Sequence, residues 1–72
     1  MSDALAMYTV YDRPDHVVVR AWFVGPGGAI VPSPTPETFP TLSVARTVLI
    51  SRGLFNLGRQ LGDDLTIVET WV

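Results

Sequence analysis

Five side chains in this 72-residue sequence join charge to large flat rings at positions a folded chain could gather: Tyr11, Arg20, Trp22, Glu69 and Trp71. A charged pair among aromatics is the composition of an interface centre or a ligand platform, since each ring offers wide apolar area with one polar tip. Arg20 stands inside an apolar run, so burying it requires a counter-charge. Glu69 is the natural one, with an indole available for stacking. For a single Trp, the plainer reading would hold: rings complete a monomer core and the two charges reach solvent at its edge. Two Trp, a Tyr and a mid-strand Arg in so short a chain favour the interface.

Other chemistry-bearing groups are sparser. His16 is the only His, with Asp12 and Asp15 beside it across a turn; a carboxylate can orient an imidazole and raise its basicity, as metal and acid/base sites require. Turn carboxylates more often bond backbone amides, and this set has no metal-ligand spacing. Asp63 and Asp64 with Glu69 could be read as paired carboxylates, but their place before a strand favours a solvated turn. Gly25-Pro26-Gly27-Gly28 lacks the Lys, Ser or Thr and the following helix of a phosphate loop. Glu69-Thr70-Trp71-Val72 has the form of a carboxylate-terminal PDZ ligand, though its use as a strand within the chain is the stronger reading. No enzyme site, cofactor or metal is expected.

The elements that must position these groups follow from side-chain shape. Residues 17–24 form a run of Val and aromatics around Arg20, with no Gly or Pro, which suits a pleated strand and not a helix. Its alternation is so weak that both faces are expected to be covered. Residues 7–12 predict a preceding strand, turned by 13–16 into a hairpin, and Gly25-Pro26-Gly27-Gly28 ends the second strand. The island 29–31 reads as a strand extension, and Pro32, Pro34 and Pro36 as an extended arm across the sheet. Thr41 is positioned to cap a helix over 42–51, and Gly53 to stop it. At about 100° per residue, Leu42, Val44, Ala45, Val48 and Leu49 form its apolar arc, with Ser43, Arg46, Thr47, Ile50 and Ser51 opposite. Phe39 and Leu54 or Phe55 would pin its ends. Residues 56–64 read as a loop and 65–72 as the last strand.

The expected fold is therefore α+β, ordered β-β-α-β: a three-stranded, mainly antiparallel sheet with one helix on one face. The sheet order is 2-1-3, or else the last strand lies beside the second. Residues 1–6 are expected to be a disordered tail or a cloning remnant and 7–72 a single domain. Alternation groups Val18, Arg20 and Trp22 on one side of the long strand, and Ile67, Glu69 and Trp71 on one side of the last. With the helix assigned to the smoother sides, Tyr11, Arg20, Trp22, Glu69 and Trp71 share the open face.

Composition bounds the rest. Net charge is −2 at pH 7 and the five basic residues are all Arg, scattered at 13, 20, 46, 52 and 59, so no nucleic-acid surface is expected. There is no Cys, which leaves a reducing cytoplasm as the default compartment. No apolar run approaches the ~20 residues of a membrane span. Hydrophobic residues are 47% and charged ones 17% of a chain small enough for its core to be marginal. That excess of apolar surface predicts a homo-oligomer, with a dimer the simplest form and a different protein the alternative partner.

Tyr8-Thr9-Val10-Tyr11-Asp12, Pro14-Asp15-His16 with the Val-rich run to Trp22, Thr41-Leu42 with Ala45-Arg46, and Asp63-Asp64, Ile67-Val68-Glu69 and Trp71 together resemble a family of short uncharacterised bacterial proteins. The resemblance spans 7–72 and implies unity of fold, with no activity to carry over; 54–62 departs from that family's more Pro-rich segment. A looser, topological similarity is to the HicB-type antitoxins, through hairpin, Thr-Leu helix start and returning strand, without their Gly-rich strand signature. Two functions follow: a non-enzymatic protein that self-associates through its aromatic face, or a ligand-binding or antitoxin-like regulatory module using that face.

Overall fold

The computed structural model describes residues 4–62 and 66–72. The strands and the α-helix follow in order: β1 (Ala4–Asp12), β2 (Val17–Val24), β3 (Ile30–Pro32), β4 (Glu37–Phe39), α1 (Leu42–Ser51), β5 (Asn56–Leu61) and β6 (Ile67–Trp71), with a single 3-10 turn at Pro26–Gly28 between β2 and β3. The sheet is larger than the expected three strands. Six strands form one antiparallel sheet in the order β3-β2-β1-β6-β5, with β4 also paired to β2. Its centre keeps the 2-1-3 order, because β1 lies between β2 and β6.

The added strands are β3, where the sequence suggested only a strand extension, and β4 and β5, which lie where no strand was expected. β3 pairs Trp22 with Pro32 and Val24 with Ile30, so the return from the glycine turn is a hairpin. The proline arm does not cross the sheet. It runs on beside β2, and where an unbroken ladder would set Val19 opposite Thr35, Val19 pairs with Glu37 of β4. Pro34 and Pro36 have no N–H for the ladder, so the strand loops out and re-enters two residues later. β5 replaces the expected loop at 56–61: Asn56, Gly58 and Gln60 have low strand propensity, but the free edge of β6 supplies partners that override it. Leu57 is bulged out, held by the Gly58 N–H donating to Asn56 Oδ1 at 2.8 Å. β1 starts at Ala4, earlier than the expected boundary at residue 7, and bulges between Leu5 and Met7.

The helix forms where the sequence places it. Thr41 Oγ1 accepts from the Val44 N–H at 3.2 Å. At the other end, Leu54 N–H donates to the Leu49 carbonyl and Gly53 N–H to Ile50, with Gly53 at φ 82°, a closure that needs a left-handed residue. The helix packs Ala45 and Leu49 onto Val10, Val17, Val19 and Trp71, with Tyr8, Phe39, Leu42 and Leu54 around them. Among the described residues no helix is long and apolar enough to cross a membrane.

The arc facing the sheet is rotated from the expected one. Val44 is 41% exposed, while Leu42, Ala45, Arg46 and Leu49, spaced i, i+3, i+4, i+7, turn inward. An Arg takes the place predicted for a Val because the sheet beneath it carries a buried carboxylate.

Candidate functional site

Directly opposed residues of antiparallel strands share a face, so the registers sort every side chain of the sheet. Val10 pairs with Val19 on one side and Glu69 on the other. Since Val10 and Val19 are in the core under the helix, Glu69 lies on the covered face. Trp71, opposite Tyr8, lies there as well. On the open face Thr9 pairs with Arg20 and Thr70, Tyr11 with Val18 and Val68, and Met7 with Trp22. The expected quintet is therefore divided: Tyr11, Arg20 and Trp22 stand together on the open face, and Glu69 and Trp71 are buried on the other, at 1% and 3% exposure. Alternation within each strand was legible. The rule of laying the helix on the smoother side was not, because the helix brings its own counter-charge.

That counter-charge is Arg46. Its Nε donates to both Glu69 oxygens at 3.2 Å and its Nη2 to Oε2. Arg59 Nε lies 3.2 Å from Glu69 Oε2, and Trp71 Nε1 donates to Oε1 at 3.1 Å. Burial pushes the Glu69 carboxyl up, but hydrogen bonds from Arg46 and Trp71 and the charges of Arg46 and Arg59 outweigh it, leaving the group below the usual carboxylate range. The pairing expected between Glu69 and Arg20 does not form. Arg20 Nη1 donates instead to the Ser33 carbonyl at 2.7 Å, which draws the guanidinium to the rim of the sheet.

On the open face, Trp22 Nε1 donates to Thr9 Oγ1 at 2.9 Å, and Thr9 Oγ1 donates to the Tyr11 hydroxyl at 3.2 Å. The Thr9 hydroxyl, buried between the two half-buried rings, links both. Nothing in the spacing of Thr9 alone announces this role; its register position does. Among the described residues, the strands' inventory on this face is Ala4, Met7, Thr9, Tyr11, Val18, Arg20, Trp22, Val24, Ile30, Pro32, Thr38, Gly58, Gln60, Val68 and Thr70, with Arg20 its one charged member.

The remaining candidates do not converge. His16 Nδ1 meets Asp15 Oδ1 at 2.6 Å on the surface, whereas Asp12 lies on the helix side, its Oδ2 3.8 Å from Arg59 Nη2. Among the described residues no three His, Cys, Asp or Glu side chains are grouped to hold a metal. Asp63 and Asp64 lie outside the described residues. Thr70 and Trp71 are consumed by pairing, and Val72 exchanges two backbone hydrogen bonds with Phe55.

Comparison with protein-family models, with curated proteins and with solved structures finds no match to this chain.

Proposed function

We propose that this chain is a non-enzymatic interaction protein that self-associates, a second copy covering the open face of the sheet around Tyr11, Val18 and Trp22. One observation carries the reading: among the described residues, a face with no helix on it presents a single charged strand side chain, Arg20, in a set of Val, Met, Thr and aromatic residues. An antiparallel face meant for water alternates to polar side chains. The polar groups at the centre of this face are already engaged, Trp22 with Thr9, Thr9 with Tyr11 and Arg20 with Ser33, so covering them strands few hydrogen bonds. Two such faces packed about a two-fold axis give a sandwich with the helices outside.

The rival is a ligand-binding or antitoxin-like module using the same face. Loss of Glu69 to the other side reduces that platform to one guanidinium and two rings, of which the guanidinium is tied to a carbonyl. Light scattering on the purified chain separates the readings. Self-association predicts a mass of two or more copies at micromolar concentration, cut by half or more in Val18→Lys. A wild-type monomer whose Trp emission changes on addition of a small anion or aromatic compound would replace it with the rival.

A further inference from the structure

The two edges of the sheet differ in a way that names a second contact. The β3/β4 edge is interrupted: Pro32, Pro34 and Pro36 remove donors and the ladder breaks between Trp22 and Val19. The β5 edge has no proline, and its six residues are all exposed. Phe55 and Val72 exchange two hydrogen bonds at one end of the β5–β6 ladder, and Gly62 N–H donates to the Thr66 carbonyl at the other. Bonded and non-bonded pairs alternate in an antiparallel ladder. Both anchors therefore assign the inward bonds to the Gly58–Thr70 and Gln60–Val68 pairs, and Arg59 and Leu61 turn their N–H and C=O groups outward.

We infer that β5 pairs antiparallel with β5 of a second copy, Arg59 opposite Leu61 of that copy and Gln60 meeting its own counterpart on the two-fold axis. This register brings outward group to outward group in two symmetric pairs. Arg59 opposite Arg59 would set like charges together, and Leu61 opposite Leu61 would form only one such pair within β5. The occupant is a second copy because the strand complements itself. Its one charge is offset within its own chain by Glu69 and Asp12, so two strands approach without net repulsion. The Gln60 amide both donates and accepts, and Leu61, 65% exposed, gains the stem of Arg59 to lie on. The inference shares with the proposed function the premise of self-association, but uses different residues. A two-fold axis through the sheet and one between sheets are compatible in a closed assembly of four copies.

Light scattering with substitutions at one position tests edge and register together. Wild type should have the mass of four copies. Leu61→Lys, which sets a cation against Arg59 of the other copy, should halve it. Leu61→Glu, which sets an anion there, should leave it at four. Leu61→Pro, which removes only an outward N–H, should halve it, and Val18→Lys with Leu61→Lys should give monomer, each with unchanged far-ultraviolet circular dichroism. Leu61→Glu falling as far as Leu61→Lys overturns the register. A wild-type dimer that Val18→Lys splits and Leu61→Lys leaves whole overturns the edge contact and keeps the face; the reverse pattern keeps the edge and removes the face.

Discussion

Among the described strand residues, the covered face of the sheet carries Asp12, Glu37, Arg59 and Glu69, while the uncovered face carries Arg20 alone. A count of charges would have assigned water to the wrong side. Each charge on the helix face is matched: Glu69 by Arg46 and Arg59, Asp12 by Arg59, and Glu37 by Arg52, whose two nitrogens donate to its two oxygens at 2.9 Å. Arg52 also sits 5.8 Å from the centre of the Tyr8 ring, so one side chain ties the helix end to β4 and β1. Charge is tolerated under a helix when the helix supplies its partner. Neutrality on an uncovered face has a different meaning, since nothing in the chain itself accounts for it.

Four substitutions sharpen this contrast, the first three on the helix side. Leu49→Ala empties a fully buried site between helix and sheet and should cost about 2–5 kcal/mol in chemical denaturation. Glu69→Gln should cost about 1–3 kcal/mol at neutral pH, since it removes charged hydrogen bonds from Arg46 and Trp71 and the ion pair with Arg59. It should also change the acid limb of stability. A carboxyl held below its ordinary range contributes its stabilisation above the unfolded-state value and loses it as pH falls to the folded-state value. Wild type should therefore weaken through the acid range more steeply than Glu69→Gln, and parallel curves would show that the Arg46–Glu69–Arg59 cluster carries no such linkage. Thr41→Ala removes the cap on the Val44 N–H and should cost about 1 kcal/mol. On the open face, half-buried Val18 should cost about 1 kcal/mol or less as Lys, and the substitution should weaken the dependence of the melting temperature on protein concentration, which Val18→Lys with Leu61→Lys should abolish. A loss as large as that of Leu49→Ala at monomeric concentration would mean that the open face is needed for the fold and is not a contact.

Local rules were legible at the two ends of the helix, though not in which arc faces the sheet. Thr41, the run Leu42–Ser51 and Gly53 act where their chemistry says they should, because capping and a left-handed stop depend on a few neighbouring residues. The strands β1, β2 and β6 were legible for the same reason, through branched and aromatic content. β5 was not: Asn56-Leu57-Gly58-Arg59-Gln60-Leu61 has no intrinsic signal for a strand, and becomes one only because β6 has an edge to fill. The candidate site was half legible. Tyr11, Arg20 and Trp22 do gather, but Glu69 and Trp71 belong elsewhere.

By itself the sequence determined which side chains alternate together within a strand, because the pleat has a period of two whatever surrounds it. Which of those sets lie beside one another was decided by register, and register joins residues as distant as Val10 and Glu69. The fate of Glu69 rested on Arg46, 23 positions away on another element. A buried charge is stable only in the company of its partner, and that company exists only once helix and sheet have met.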